Sequence, residues 1–265
     1  MNETLLLARD GAVATLTLNR PESLNVLNLD MIDALVAHTA ALAGDTGVRC
    51  VVIQGAGKNF MAGGDIRMFA ERMASPAIDP QREFIGIIER VHVAIEQLHR
   101  MPQPVVASVR GAVAGFGLSL MGACDLALAA DTAYFTSAYR HLGVTPDGGS
   151  TWTLPRLVGV KKAMETVLLG ERFDAQEALR LGLVNRVVPE TTLAEATAAL
   201  ASTLANGPAL AMVNGKRLIN QSLSQSLSNQ LAAEAVSFAA CAARPDFKEG
   251  IRAFFDKRPP RFGQS

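Results

Sequence analysis

Apolar and polar residues alternate near the beginning of the chain, as they do in a strand with one buried face. Two such segments, LLLAR (5–9) and AVATLTL (12–18), are joined by Asp10 and Gly11. An Asp-Gly pair between alternating runs is a strong signal for a tight turn between antiparallel strands. We therefore predict a β-hairpin at the start of the fold.

Three later segments are continuously apolar instead of alternating. They are CVVIQG (50–55), PVVASVRG (104–111) and LALAA (126–130). The first two lead into glycine-rich loops, and helical patterns then begin near Ile66 and Leu118. Apolar runs that are rich in β-branched residues and alternate with helices indicate a sheet covered on both faces by crossover helices. This pattern predicts an α/β fold with the sheet at its centre.

From about residue 150 the pattern predicts helices alone, separated by glycine and proline. Asp30 and Asp174 stand where helix N-caps are expected, because each directly precedes apolar residues at helical spacing. We expect a mixed α/β core over residues 1–200 and a helical C-terminal region over residues 201–265.

Charge and cysteine usage exclude several classes of function. Lysine and arginine together number 25, as do aspartate and glutamate, so there is no basic surplus for a nucleic-acid partner. No uninterrupted apolar run reaches the roughly 18 residues of a membrane span, and we expect no membrane partner. Cys50, Cys124 and Cys241 are far apart, as is typical of buried thiols in a reducing compartment. We predict a cytoplasmic protein. The four histidines show no metal-ligand spacing, so we predict no metal site.

The two glycine-rich loops, KNFMAGGDI (58–66) and AVAGFG (112–117), each present backbone N–H groups at the start of a helix. Those groups have no partner inside the helix, and the helix dipole favours negative charge beside them. If the loops converge, one N–H group from each can stabilise the same oxyanion. Two ordinary tight turns are the alternative. Neither loop completes a nucleotide motif, since Val52 replaces the first glycine of a P-loop and Leu120 the third glycine of a dinucleotide fingerprint.

Four motifs in a fixed order make the sequence similar to a known family. They are KNFMAGGDI (58–66), VRGAVAGFGLSLMGACDLALAA (109–130), GVTPDGGSTWTLPRLVG (143–159) and EALRLGLVNRVVP (177–189). Together they resemble the crotonase, or enoyl-CoA hydratase/isomerase, superfamily, and the resemblance extends from residue 19 to residue 262. It implies an α/β fold of crotonase-like ββα units wound into a superhelix. It also implies a helical C-terminal trimerisation layer, and hence a homotrimer or a dimer of trimers.

The resemblance implies an acyl-CoA substrate whose thioester enolate is stabilised by two backbone N–H groups. The two donors fall on Gly64 and Phe116. Coenzyme A would be part of the substrate, and no permanently bound cofactor is expected. The residues expected to contact coenzyme A are Ser23, Leu24, Ala62, Asp65, Ile66, Arg67, Phe254 and Lys257, the last two from a neighbouring subunit.

The chain departs from the family pattern at the two glutamates that hydratases use. Their positions hold Ser119 and Tyr139, and neither exchanges a proton near neutral pH as a carboxylate does. Asp147, in the PDGG segment, instead resembles the catalytic aspartate of family isomerases, including the 1,2-epoxyphenylacetyl-CoA isomerases. We predict an isomerase of an enoyl-CoA or a ring-epoxide acyl-CoA, in which Asp147 takes and returns one proton. Apolar neighbours such as Phe116 and Trp152 would raise the pKa of Asp147.

Other interpretations remain open. The aspartate of 4-chlorobenzoyl-CoA dehalogenases is a nucleophile, and a hydrolase of that kind needs a base, for which His92 and His99 are candidates. A hydratase of fatty-acid or aromatic-acid degradation with atypical catalytic residues and a non-catalytic acyl-CoA binding protein are further alternatives, and Asp147 could only shape a turn. Apolar residues that either line the acyl pocket or belong to the core are Met68, Phe69, Met73, Phe84 and Ile88.

Overall fold

The computed structural model describes residues 3–263, which form two sheets and ten α-helices. The strands are β1 (Leu5–Asp10), β2 (Val13–Leu18), β3 (Cys50–Gly55), β4 (Val105–Val109), β5 (Ala112–Ala114), β6 (Leu126–Ala130), β7 (Tyr134–Thr136), β8 (Phe173–Asp174) and β9 (Arg186–Val188). The helices are α1 (Leu29–Gly44), α2 (Ile66–Met73), α3 (Pro80–Arg100), α4 (Phe116–Gly122), α5 (Ser150–Leu169), α6 (Ala175–Arg180), α7 (Leu193–Ala205), α8 (Ala209–Ser222), α9 (Leu227–Ala242) and α10 (Pro245–Phe255). Short 3-10 segments span Pro21–Ser23, Tyr139–Leu142 and Glu190–Thr192.

The main sheet has the spatial order β1-β2-β3-β4-β6-β9. Strands β1 and β2 pair antiparallel around a turn in which Gly11 has a left-handed φ of 55°, so the predicted hairpin is confirmed. All later pairs in this sheet are parallel. The smaller sheet has the order β5-β7-β8 and lies beyond the carboxyl end of β4 in the chain.

Both faces of the main sheet are buried, as the continuous apolar runs predicted. Leu16, Ile53 and Val105 belong to a large core cluster that includes residues of α1 and α3. The alternate residues Cys50, Val52, Val106 and Leu128 belong to a second cluster with Leu193 and Ala201 of α7. Since successive side chains of a strand point to opposite faces, helices cover the sheet on both sides.

Helix α3 shows how the sequence sets the packing. Its buried residues Ile87, Val91, Ala94 and Leu98 recur at the spacing of one helical face, and Asp79 caps the helix by accepting a hydrogen bond from the amide of Gln81. This face packs against α1. The long amphipathic helix therefore closes one side of the sheet.

Two predictions about the helices are wrong. The N-cap of α1 is Asn28, whose side chain accepts from the amide of Met31, and Asp30 lies in the first turn. The region after residue 150 also contains strands, because β9 pairs with β6 and β8 pairs with β7. Both strands are too short for a clear pattern of alternation. The expected cap at Asp174 is confirmed, since its carboxylate accepts from the amide of Glu177.

Helix α8 is attached to the core by a buried cation. The ammonium group of Lys216 lies 2.8 Å from the Asp125 carboxylate and donates to the carbonyl groups of Leu98 and Gln103 at 3.1 and 3.0 Å. The Lys216 side chain is only 8% exposed. Burial raises the pKa of Asp125, and the charge and hydrogen bond of Lys216 oppose that shift. This ion pair connects the C-terminal helices to the start of β6.

The C-terminal helices leave many large apolar side chains exposed. The most exposed on α8, α9 and α10 include Ile219, Leu227, Val236, Phe238, Phe254 and Phe255. Within the described residues, no single helix is long and apolar enough to cross a membrane, whereas one pair bent by 104°, Glu190–Ala205 with Ala209–Ser222, meets that test by length and composition. The division of the chain near residue 200 stays a prediction.

We expect Lys216→Met to lower the free energy of unfolding by about 3 kcal/mol, because it leaves the partly buried Asp125 carboxylate without its cation. Denaturant unfolding at a fixed protein concentration measures this loss. Arg100→Met is the control, since Arg100 and Glu96 form an exposed pair whose loss should cost less than about 1 kcal/mol. Equal losses in the two variants would show that Lys216 is not a buried attachment point.

Candidate active site

The first glycine loop pairs with the segment that precedes α1. The amide of Leu27 donates to the carbonyl of Gly63 at 2.8 Å, and the amide of Asp65 donates to the carbonyl of Leu27 at 2.9 Å. Gly63 itself has a positive φ of 99°, which favours glycine. Within residues 3–263, the amide of Gly64 between these pairs donates to no protein acceptor. That N–H group is available to a ligand.

Asp65 caps α2 directly after this donor. Its Oδ1 accepts from the amides of Arg67 and Met68 at 3.1 and 3.3 Å, and its Oδ2 accepts from Arg20 at 2.8 Å. Burial on its own would raise the pKa of Asp65, but the bonds from Arg20 and from the two amides outweigh it and keep the pKa below its usual value. The side chain of Asp65 therefore fixes the start of α2. A role of Asp65 toward coenzyme A stays a prediction.

The second loop joins the first through β5. The amide of Met61 donates to the carbonyl of Ala112 at 3.0 Å, and the amide of Ala114 returns a bond to Met61 at 2.9 Å. The chain then turns at Gly115, where φ is 53° and a Cβ atom would lie 3.4 Å from the Cα atom of Gly63. Phe116 begins α4, and its amide donates to no protein acceptor among the described residues.

The two unpaired amides lie close together. A Cβ atom built on Gly63, the residue before Gly64, would be 3.9 Å from the backbone nitrogen of Phe116. The loops therefore converge, and both donors predicted from the sequence occur at the convergence. Two N–H groups in this arrangement can stabilise a negative oxygen that develops during a reaction.

The two glycines that follow Asp147 bring its segment against α4. Gly148 has a φ of 57°, and a Cβ atom there would lie 2.7 Å from the Cβ of Ser119 and 2.8 Å from the ring of Phe116. The PDGG segment thus lies directly against α4. Only a residue without a side chain fits this contact, which explains why a glycine follows Asp147.

The carboxylate of Asp147 is held through one of its oxygens. Tyr139 donates its hydroxyl hydrogen to Oδ1 at 2.5 Å, and the Ser119 hydroxyl lies 3.1 Å from the Tyr139 oxygen. The Ser119 and Ser150 hydroxyls donate to the backbone carbonyl of Asp147 at 2.9 and 3.0 Å. Within the described chain, Oδ2 accepts no hydrogen bond from another residue, so this oxygen is free to act.

The surroundings raise the pKa of both Asp147 and Tyr139. Burial raises the pKa of Asp147, while the hydrogen bond from Tyr139 opposes the shift without cancelling it. Burial and the nearby Asp147 charge also raise the pKa of Tyr139, so the phenol keeps its proton and remains a donor. A carboxylate with a raised pKa is better matched to proton transfer near neutral pH.

His92 is a site residue that the sequence did not distinguish from His99. The amide of Gly148 donates to Nε2 of His92 at 3.1 Å, which places the imidazole beside Asp147. His99 instead packs edge-on against Trp152, with 5.3 Å between ring centroids, and its pKa is lowered by burial and by Lys216. Trp152 was predicted to be an apolar neighbour of Asp147. Its ring packs against His99, and the residue is 43% exposed. No sequence signal separates the two histidines, because His92 follows the buried Val91 and His99 follows the buried Leu98.

Asn25 is a second residue that sequence reasoning missed. It is fully buried with a left-handed φ of 57°, and its amide nitrogen donates to the carbonyls of Ala56, Asn59 and Phe60. Its side-chain oxygen accepts from the amide of Arg20 at 2.9 Å. Asn25 therefore fixes the chain that leads into the first oxyanion loop. No spacing in the sequence indicates these four bonds, because their partners are distant in the chain.

Aromatic side chains border the Gly64 donor. A Cβ atom on Gly64 would lie 2.7 Å from the ring of Phe69, which packs edge-on against Phe84 at 5.3 Å between centroids. Of the five residues predicted for the acyl pocket or the core, Phe69 therefore lies at the first glycine loop, and Phe84 packs against Phe69. Met73, a third, is largely exposed.

The residues predicted to contact coenzyme A fall into two groups. Leu24 and Ala62 are joined by a backbone hydrogen bond of 3.0 Å, next to Ser23 and near the exposed Ile66 and Arg67 at the start of α2. Phe254 and Lys257 lie at the end of α10, and Phe254 is 79% exposed. In the described part of the chain, Phe254 and Lys257 make no hydrogen bond to the two glycine loops. Residues 3–263 contain no cluster of three or more His, Cys, Asp or Glu side chains arranged to hold a metal ion.

Comparison with known proteins assigns the fold. The sequence model of the family described as enoyl-CoA hydratase/isomerase matches residues 8–265. The chain belongs to this family. It is 35% identical to 1,2-epoxyphenylacetyl-CoA isomerase of Escherichia coli (strain K12) over 263 residues, or 99% of each chain. It is 36% identical to crotonyl-CoA hydratase of Syntrophomonas wolfei over 262 residues, or 98% of each chain.

Solved structures agree with this assignment. An enoyl-CoA hydratase from Polaromonas sp. JS666 superposes with a TM-score of 0.90 at 36% identity, covering 97% of this chain and 99% of that one. An enoyl-CoA hydratase from Mycobacterium smegmatis gives 0.90 at 33% identity, covering 98% of each chain. The predicted crotonase-like α/β fold is confirmed. As a member of the family, the protein is an acyl-CoA enzyme that acts on coenzyme A thioesters.

Because the PDGG segment packs against α4, alanine substitutions at Gly148 and Gly143 should differ in how much stability they cost. We expect Gly148→Ala to destabilise the protein by roughly 1–3 kcal/mol more than Gly143→Ala, because the new methyl group overlaps Ser119 and Phe116. Gly143 is the matched control, since its φ is also positive but no atom lies within 4 Å of the position of an added Cβ. Its substitution therefore costs only backbone strain of roughly 1–2 kcal/mol. Thermal and denaturant unfolding measure both, and equal losses would contradict the close packing at Gly148.

Proposed function

We propose that the protein is an acyl-CoA isomerase that shifts a double bond in an enoyl-CoA or rearranges a ring-epoxide acyl-CoA, with Asp147 as its proton carrier. One observation supports this most strongly. Among residues 3–263, Asp147 is a partly buried carboxylate with one oxygen that accepts no hydrogen bond from another residue, next to the start of α4, where the Phe116 amide has no protein acceptor. The E. coli relative bears the name of an isomerase.

The chemistry follows from these groups. Oδ2 of Asp147 removes a proton from the carbon next to the thioester, and the electron pair moves to the carbonyl oxygen. The amides of Gly64 and Phe116 stabilise the resulting enolate oxygen. Asp147, now protonated, returns the proton at the far end of the conjugated system, so one carboxylate acts as both base and acid.

Hydration is less well supported, although several relatives bear hydratase names. A hydratase adds hydroxide to one carbon and a proton to the next, and the family places two glutamates for this task. The corresponding side chains here are Ser119 and Tyr139, whose hydroxyl groups lie 3.1 Å apart. Tyr139 also donates to Asp147. Only the Tyr139 hydroxyl binds the carboxylate of Asp147, and neither hydroxyl is a base that could activate water near neutral pH.

A second candidate is a hydrolase similar to 4-chlorobenzoyl-CoA dehalogenases. The bond from Gly148 to His92 favours it, because it places an imidazole beside Asp147. In that chemistry the carboxylate displaces chloride from the aromatic ring. Water, activated by His92, then cleaves the aryl ester and regenerates the carboxylate. The isomerase remains favoured because it requires one carboxylate and two backbone donors and no further base.

The binding of coenzyme A involves both groups of predicted residues. Backbone groups of Ser23, Leu24, Ala62, Asp65 and Ile66, with the Arg67 side chain, would line the path of the nucleotide and pantetheine. Phe254 and Lys257 would close over the nucleotide from a neighbouring subunit. The pairing of Leu24 with Ala62 supports the first group, and the exposure of Phe254 supports the second. Coenzyme A is then part of the substrate, with no resident cofactor.

The protein would assemble as a homotrimer or a dimer of trimers through its C-terminal helices. The exposed apolar side chains of α8, α9 and α10 support this, as does an apolar cavity of about 650 Å³ between these helices. Large exposed apolar patches commonly mark surfaces between subunits. A cytoplasmic location remains a prediction from the three free cysteines.

We expect Asp147→Asn to lower turnover of a 3-enoyl-CoA by about a hundredfold to ten-thousandfold, because the amide cannot accept the proton. Thioester binding should be unchanged. Ultraviolet absorbance detects the conjugated product, and mass spectrometry confirms that it is isobaric with the substrate. Asp10→Asn, in the hairpin turn, is the control and should keep full activity.

Other outcomes distinguish the alternatives. A product heavier by one water would identify a hydratase. Continuous chloride release from 4-chlorobenzoyl-CoA that stops after one equivalent per chain in His92→Gln would identify a hydrolase. Thioester binding without exchange of the α-proton in heavy water would identify a non-catalytic acyl-CoA binding protein. Unchanged isomerisation in Asp147→Asn would remove Asp147 from the mechanism.

Sedimentation should give the mass of three or six chains of 28.1 kDa. The reason is that a monomer would leave the apolar side chains of α9 and α10 in water. The Asp147→Asn variant should sediment identically, since among the described residues the hydrogen-bond partners of Asp147 and Gly148 lie on α3, α4, α5 and the 3-10 turn at Tyr139, and none lies on α8, α9 or α10. A species with the mass of one chain would contradict the proposed assembly.

A further inference from the structure

Tyr139 and Ser119 make a chain of hydrogen bonds whose only charged member is Asp147. The phenol donates to Oδ1 of Asp147 at 2.5 Å, a short bond of the kind that forms between a hydroxyl and a carboxylate. The Ser119 hydroxyl is 3.1 Å from the phenol oxygen and 2.9 Å from the Asp147 carbonyl. Ser119 is fully buried. The reaction outlined above uses neither hydroxyl group.

We propose that Tyr139 is a positioning residue that binds one oxygen of Asp147, so that the other oxygen alone carries the proton in both directions, with Ser119 orienting the phenol. This inference rests on the proposed isomerisation. It assigns a role to the two positions at which the family's hydratases have glutamates. The two hydroxyls would thus convert a site for activating water into a support for a single carboxylate.

The hydrogen count fixes the direction of the bonds. A tyrosine and a serine hydroxyl each have one hydrogen to donate. Tyr139 gives its hydrogen to Asp147, so any bond between the two hydroxyls uses the hydrogen of Ser119. Ser119 can give that hydrogen to the phenol or to the Asp147 carbonyl. In either case the acceptor side of the phenol faces Ser119, and its donor side faces Asp147.

The backbone around Tyr139 holds the phenol in place. The amide of Tyr139 donates to the carbonyl of Ser137 at 2.7 Å, and its carbonyl accepts from the amide of Val144 at 3.3 Å. Ala138 has a left-handed φ of 57°, which starts the 3-10 turn that carries the ring. Because burial and the Asp147 charge keep the phenol protonated, Tyr139 does not compete with Asp147 for the proton of the substrate.

The main chain of Asp147 is fixed from three other elements. Ser150 of α5 donates to its carbonyl, the Ser119 hydroxyl of α4 lies 2.9 Å from the same carbonyl, and His92 of α3 accepts from the next amide. With the backbone fixed and Oδ1 bound, rotation of the carboxyl group would break the bond to Tyr139. Oδ2 therefore stays directed away from Tyr139. A proton that Oδ2 takes from one carbon is returned by the same oxygen, on the same face of the substrate.

The test is the pH profile of kcat/KM for Tyr139→Phe. A hydrogen bond to the ionised carboxylate lowers its pKa, so its removal raises the pKa of Asp147. The base form is then reached only at higher pH, and the acid limb should move up by about one pH unit, equivalent to a tenfold change in the ionisation constant. We expect kcat to fall more than KM changes. Ser119→Ala should shift the limb in the same direction by less.

Tyr134→Phe is the matched control, since Tyr134 is the other tyrosine of the chain and its ring lies under the guanidinium of Arg172. This variant should leave the acid limb unchanged. If Tyr139→Phe loses its fold by circular dichroism, 3-fluorotyrosine in the Tyr134→Phe background replaces it. Fluorine makes the phenol a stronger donor, so the acid limb should then move to lower pH. If the acid limb stays at the same pH when the hydroxyl of residue 139 is removed or fluorinated, the inference is overturned.

A titration that does not depend on turnover separates this inference from the proposed function. The carbon-13 shift of the Asp147 carboxyl, followed against pH, should report a higher pKa in Tyr139→Phe than in Tyr134→Phe. An inactive Asp147→Asn together with an unmoved titration would overturn the role of Tyr139 and leave the isomerase standing. Full activity in Asp147→Asn would overturn both.

Discussion

The candidate site depends on the pairing of Met61 with β5. Two backbone hydrogen bonds, between Met61 and the carbonyl of Ala112 and between Ala114 and Met61, hold the first glycine loop against the second. Gly117 contributes to this contact, because a Cβ atom there would lie 2.3 Å from the Met61 carbonyl. Without this close approach, the amides of Gly64 and Phe116 would be separate helix termini instead of two donors at one place.

Asp147 shows how opposing effects give a group a useful proton affinity. Burial favours the neutral acid, whereas the hydrogen bond from Tyr139 favours the carboxylate, and the balance leaves the pKa of Asp147 raised. A fully shielded acid would keep its proton, and a fully exposed one would be too weak a base. The same contacts that limit the shift also hold the carboxylate in one orientation. Stability and reactivity at this residue therefore depend on the same few hydrogen bonds.

Much of the fold could be predicted because its signals are local. The hairpin at Asp10 and Gly11, the apolar runs of β3, β4 and β6, and the stripe of α3 each depend on spacing within a few residues. The predictions failed where the signal was short or shared. The two-residue strand β8 is too short to show alternation, and Asp30 could not be separated from the true cap, Asn28, by residue type.

The sequence by itself determined the family, the two glycine loops and the unusual residues at the hydratase positions, because each is a local pattern or a resemblance between motifs. Only the tertiary structure decided that His92, and not His99, lies beside Asp147, and that Asn25 binds three carbonyls of a distant loop. It also decided that Ser119 and Tyr139 form one network with Asp147. The physical reason is that hydrogen bonds require distances near 3 Å between atoms whose residues are far apart in the chain, and only the packing of α3, α4 and α5 sets those distances.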